Sequence, residues 1–160
     1  MVSSSSVERG FSLIELMITV ALLAILVLMG NSLTGLWSKQ AELDKAVISL
    51  QSAISLARST ALRNEHPLGT GYLASQLCFD KVEHKLSVHK ATETESASCS
   101  TPVEFNYTLN DAIEIKNNGN DFLCFPFDNF GQISKNSGIC QTKLSLTVSN
   151  GGLNETITFD

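Results

Sequence analysis

Apolar and polar positions divide this chain of 160 residues into three regimes. From Phe11 to Met29 the side chains are apolar except at Ser12, Glu15 and Thr19. A bilayer core takes roughly 20 residues of helix to cross, so this run predicts a membrane-spanning helix. Gly30-Asn31-Ser32-Leu33-Thr34-Gly35 follows, a set of poor helix formers where the helix is expected to kink or melt. From 36 the period becomes that of an amphipathic helix. Leu43, Val47, Leu50, Ile54, Ala57 and Ala61 recur at spacings of four and three, which puts them on one stripe. Lys39, Glu42, Lys45, Ser49, Arg58 and Arg63 fall largely off it. The stripe is read as a face packed on the rest of the domain. His66-Pro67 ends the helix, because the residue before proline is pushed out of the α region. As one rod, the two helical halves would measure about 80 Å at 1.5 Å per residue.

Beyond Pro67 the period is two. Short strands are predicted at 77–79, 85–89, 103–109, 112–116, 122–127, 143–149 and 155–159. Ser149-Asn150-Gly151-Gly152 reads as the turn of a last hairpin, with Leu144, Leu146 and Val148 facing Ile157 and Phe159. Residues 91–101, rich in Ser, Thr and Glu, have no apolar period and are predicted as an exposed loop. The expected class is α+β, a long N-terminal helix packed on a C-terminal antiparallel β-sheet head. The expected organisation is a leader over 1–10, a spanning helix over 11–35, an amphipathic helix over 36–66, and a β-rich head over 67–160 that forms one globular domain with 36–66.

Charge narrows the partners. The formal net charge is −5, and from Glu65 onward six Lys/Arg face twelve Asp/Glu. Non-specific nucleic-acid affinity comes from Lys/Arg contacts to phosphate, and no basic cluster is visible. Cysteine usage points to an oxidising compartment: Cys78, Cys99, Cys124 and Cys140 all lie in the head, without Cys-x-x-Cys spacing. Three pairings into two disulfides are possible. Cys78 with Cys99 and Cys124 with Cys140 is favoured, since each closes a loop of ~15–20 residues, for which chain entropy gives about 3 kcal/mol.

One residue in the apolar run is out of place. A carboxylate at Glu15 costs several kcal/mol in hydrocarbon unless it snorkels to the headgroups or finds a partner. Gly10, Phe11 and Glu15 within Arg-Gly-Phe-Ser-Leu-Ile-Glu-Leu, after a short polar leader and before an apolar helix, resemble the processing signal of type IV pilins and pseudopilins. The resemblance implies that a prepilin peptidase cuts between Gly10 and Phe11 and that the new Phe11 amine is N-methylated. It also implies that Glu15 neutralises the Phe11 amine of a neighbouring subunit. Two charges in a low-dielectric core are tolerable only together, which would favour one register between subunits. Because the cut precedes the apolar run, the anchor would stay with the mature chain, unlike a secretory signal peptide. Arg9 beside the run agrees with a cytoplasmic N-terminus and a periplasmic head.

Two further stretches narrow the resemblance. Ala57-Arg58-Ser59-Thr60-Ala61-Leu62-Arg63-Asn64 and Phe125-Pro126-Phe127-Asp128-Asn129-Phe130-Gly131 resemble the helix end and F-x-x-x-G turn of the GspH/FimT branch. The implied function is a minor pilin that starts or caps a filament in the inner membrane. The H-type pseudopilin of type II secretion is the alternative, and a pilus-tip binding module a further one. Implied partners are other pilins through the N-terminal helix and the peptidase that processes them. The branch's Gly-Arg-x-Arg element is not present, the chain ending Gly-Gly-Leu-Asn-Glu-Thr-Ile-Thr-Phe-Asp, so DNA binding is not carried over. No catalytic motif, phosphate loop or cofactor signature stands out, and His66, His84 and His89 share no metal-ligand spacing.

Overall fold

The computed structural model describes residues 12–65, 71–135, 138–143 and 145–158, with side chains set aside at 29–33. Within these, one helix, α1 (Leu13–Leu62), precedes eight strands. The chain divides between Ser38 and Lys39 into two compact units, which are described separately.

The backbone of α1 stays helical through residues 30–35 despite their weak propensity. Its end falls at Leu62, with Arg63 N–H still bonded to Ser59 O and Asn64 N–H to Ala61 O. His66-Pro67, the predicted stop, lies outside the described residues.

In the C-terminal unit the strands are β1 (Ser75–Asp80), β2 (Lys85–Lys90), β3 (Val103–Thr108), β4 (Ile113–Asn117), β5 (Asn120–Asp121), β6 (Cys124–Phe127), β7 (Ser145–Asn150) and β8 (Leu153–Thr158). They form two four-stranded antiparallel sheets, in the orders β3-β2-β1-β6 and β5-β4-β7-β8. The sequence pattern suggests one sheet and omits β5. That strand is only two residues, closed by Asn118 and Gly119 at φ of 49° and 82°, a tight turn in which both central residues need positive φ. Local turn chemistry sets the other hairpins too. Asp80 Oδ1 accepts the N–H groups of Val82 and Glu83 at 2.8 and 3.0 Å between β1 and β2. Gly151 and Gly152, at φ of 55° and 100°, join β7 to β8.

The helix segment from Lys39 onward packs on the sheets. Leu43, Val47, Leu50, Ile54, Ala57 and Ala61 are all buried, with Ala46 and Ala53 widening the stripe. They share one core with Leu77, Phe79, Leu86 and Val88 of the first sheet and Ile113, Ile115, Leu146, Val148 and Ile157 of the second. Phe122, Phe125 and Phe127 join it. This is the α+β layout of helix on antiparallel sheets, consistent with the pilin fold. In the last hairpin Leu146 pairs with Ile157, while Leu144 and Phe159 lie outside the described residues. Polar groups fix the helix to the sheets: Ser75 Oγ donates to Ala57 O at 2.6 Å, and Asn150 Nδ2 donates to Lys39 O at 3.0 Å.

The 91–101 segment is not the exposed loop its composition suggests. Ala91, Ala97 and Thr101 are buried, since Ala91 N–H bonds Ala74 O, Ala97 N–H bonds Leu73 O, and Cys99 is joined to Cys78. The second bridge joins Cys124 to Cys140. Together these segments cover outward-facing residues of β1 and β2. Gln76 and His89 are buried there, on the face that alternation assigns to solvent.

Candidate functional site at the N-terminal segment

Gly10 and Phe11, the expected cleavage residues, lie outside the described residues. The helix that follows begins at Leu13, with the Glu15 and Leu16 N–H groups bonded to Ser12 O at 3.0 and 3.1 Å. Ser12 therefore occupies the N-cap position, and Ser12-Leu13-Ile14-Glu15 has the S-x-x-E spacing of a capping box. That spacing is legible in the sequence. A carboxylate in the first turn also meets the positive end of the helix dipole.

Glu15 is exposed, and so is every described residue from Ser12 to Leu28. Leu13, Ile14, Leu16, Met17, Ile18, Val20, Leu22, Leu23, Ile25, Leu26, Val27 and Leu28 are each at least half exposed. A helix that is apolar on every side is stable in membrane or against other helices, because water penalises each such side chain by about 1.5–3 kcal/mol relative to burial. Thr19 hides its hydroxyl by donating from Oγ1 to Leu16 O at 2.8 Å, which leaves Glu15 as the one charged group between Ser12 and Leu28.

Among the described residues, no helix is long and apolar enough to cross a membrane. Side chains 13–28 supply sixteen positions, about 24 Å of helix against roughly 30 Å of hydrocarbon. The apolar run in the sequence extends beyond that window to Phe11 and Met29.

Residues 5–30 match the family model of the prokaryotic N-terminal methylation motif. The match takes in Gly10, Phe11 and Glu15 and supports a protein of the type IV pilin or pseudopilin kind, a class of structural subunits processed by prepilin peptidase. No curated protein and no solved structure is similar enough to match the chain.

The head holds the other candidates. The turn resembling the F-x-x-x-G element docks on the end of α1. Asp128 Oδ1 accepts the N–H groups of Phe130 and Gln132, both at 2.9 Å. Asn64 Nδ2 donates to Asn129 Oδ1 at 2.9 Å. Gly131 has φ of 68°, and a Cβ there would lie 3.4 Å from Arg58 O and from Leu62 Cγ. Its role is to seat the turn. The histidines do not converge. His66 lies outside the described residues, and His84 rests edge-on against Phe79. His89 Nδ1 donates to Thr101 O at 2.6 Å, and its Nε2 is 2.9 Å from Ser87 Oγ. A carbonyl can only accept, so Nδ1 carries a proton, and the ring anchors the covering loop. Among the described residues no group of His, Cys, Asp and Glu is arranged to hold a metal ion.

Proposed function

We propose that this chain is a minor type IV pilin, a structural subunit that helps start or cap a filament. In this reading residues 1–10 are a leader removed by prepilin peptidase between Gly10 and Phe11, and the Phe11 amine is then methylated. Residues 11–35 anchor the chain in the inner membrane as a single span and later enter the filament core. The 36–66 helix and the 67–160 head form one periplasmic domain. Glu15 pairs with the Phe11 amine of a neighbouring subunit, while Leu16 to Met29 supply the apolar bundle surface. The likeness of the F-x-x-x-G turn and of the helix end favours the GspH/FimT branch.

The observation that carries the reading is the coincidence, within residues 5–30, of the methylation motif with a helix apolar on all sides and a lone acid in its first turn. The H-type pseudopilin of type II secretion shares this motif chemistry. In its favour stands the same N-terminal segment; in favour of the pilus stand two disulfides, which suit a head exposed beyond the periplasm.

Intact-mass analysis of the membrane-extracted protein tests the processing. The expected species starts at Phe11 and carries one methyl group. In Gly10→Leu the leader should remain attached, and mature protein of unchanged mass from that variant would refute the cleavage site. Cross-linking in cells separates the two machines, since a minor pilin should be captured with pilus subunits and a pseudopilin with the secretion apparatus.

A further inference from the structure

We propose that the two disulfides of the head form an exchangeable pair, able to pass from Cys78–Cys99 and Cys124–Cys140 to Cys78–Cys124 and Cys99–Cys140 while the sheet stays folded. Cys78 and Cys124 are directly opposite each other in the β1–β6 register. Phe79 N–H bonds Leu123 O at 2.8 Å immediately beyond them, which makes them a non-hydrogen-bonded pair. Cα atoms of such a pair are ~4.5 Å apart, within the range of about 4.4–6.8 Å that a disulfide spans. The observed bridges have Cα separations of 5.8 and 4.8 Å. The remaining two sulfurs are also neighbours. Gln76, buried and two residues before Cys78 on the same strand face, points one amide nitrogen at both. Its Nε2 lies 3.2 Å from Cys99 Sγ and 3.3 Å from Cys140 Sγ.

The exchange needs a thiolate from outside, of the small-thiol or dithiol class, and consumes none. Cys99 is exposed, whereas Cys140 is half-buried and Cys78 and Cys124 are buried, so attack falls first on Cys99 Sγ. A mixed disulfide forms there, the Cys78–Cys99 bond breaks, and its electron pair leaves on Cys78. Gln76 Nε2, 3.6 Å from Cys78 Sγ, donates an N–H to that thiolate. Cys78 then attacks Cys124 across the strand pair and releases Cys140 as thiolate. Cys140 attacks Cys99 and expels the original thiolate, so nothing is oxidised or reduced overall. In the observed pairing each bridge ties a covering segment to a strand. In the exchanged pairing the strands are tied to each other and the segments to each other, which leaves the cover over Gln76 and His89 held to the sheet by hydrogen bonds alone.

The four cysteines fall on separate tryptic peptides, with cuts after Lys81, Lys90, Lys116, Lys135 and Lys143. The oxidised full-length protein in detergent would be incubated with a catalytic amount of reduced glutathione, alkylated, digested and mapped by mass spectrometry. Peptides linked through Cys78–Cys124 and Cys99–Cys140 should appear in equal amounts. The third set, Cys78–Cys140 and Cys99–Cys124, should be at least about tenfold rarer, since no strand register or shared polar contact brings Cys99 to Cys124 and held proximity favours neighbours. Observed pairings alone after prolonged incubation would overturn the proposal, as would all three sets in similar amounts, the signature of scrambling through unfolded chain. In Cys99→Ser/Cys140→Ser, treatment with oxidised glutathione should consume both remaining thiols in an internal bridge. Two glutathione adducts or two free thiols would overturn the proposal.

Discussion

Truncating Leu50 tests whether the helix stripe holds the head together. Leu50 is fully buried at the middle of the stripe, in the same cluster as Leu77, Phe125, Phe127 and Leu146, none of which has exposed surface either. Leu50→Ala removes three methylene equivalents, worth about 2.4 kcal/mol of transfer free energy at ~0.8 each. Neighbours held by helix and sheet hydrogen bonds collapse little, so a cavity contribution adds to this. The expected loss is about 3–4 kcal/mol, within the ~2–5 seen for such truncations. Ile48, two residues earlier, is 62% exposed, and Ile48→Ala should cost under about 0.5 kcal/mol as a surface change. For a unit beginning at Lys39, a destabilisation of this size corresponds to a melting shift of roughly 12–16 °C, taking about 4 °C per kcal/mol. Calorimetry of the full chain in detergent would read the head transition in wild type and both variants. Equal shifts for Leu50→Ala and Ile48→Ala would refute the packing argument, because the two differ in burial and hardly in composition.

On the proposed pairing of Glu15 with a neighbour's Phe11 amine, Glu15→Ala should leave insertion and cleavage intact but lower incorporation into filaments by about 100-fold or more, as expected from ~3–5 kcal/mol for leaving a buried charge without its partner. Quantitative immunoblotting of sheared filaments reads this, and wild-type incorporation would exclude the amine pairing. Gly131→Ala should cost about 1 kcal/mol, since the left-handed conformation penalises a Cβ by roughly 1–2 and the stiffer unfolded chain returns part. Denaturant titration checks it, and a stabilised variant would remove the seating role. On pH, the Glu83 N–H, then the Val82 N–H, bonded to Asp80 hold that carboxyl below the ordinary range. The Lys81 hydrogen bond does the same for Asp121. Their contribution is present above the unfolded value near 3.9 and is lost as pH falls through the depressed folded values. Lys81 and Lys90 are raised by hydrogen bonds to Asp121 and Glu104. Theirs is present below about 10.4 and lost as pH rises through the raised folded values. The melting temperature should therefore form a plateau from about pH 5 to 9 with small declines on either side. A step centred near neutrality would contradict this assignment.

What the sequence determined by itself is what depends on near neighbours in the chain. Three-and-four spacing placed Leu43 to Ala61 on one helix face, alternation placed most strands, and the Asn-Gly-Gly turn closed the last hairpin. The methylation signal is likewise contiguous, since a peptidase reads adjacent residues. Only the tertiary structure decided how distant segments meet. β6 lies beside β1, more than 40 residues earlier in the chain, and β4 pairs with β7, so the strands separate into two sheets. Burial of Gln76 and His89 on a face that alternation assigns to water was also decided there, because a loop of polar composition closes over them. The physical reason is that pairing and covering are set by which backbone groups and side chains across space remain to be satisfied. Periodicity tells a segment which side is apolar, and does not tell it which partner will take that side.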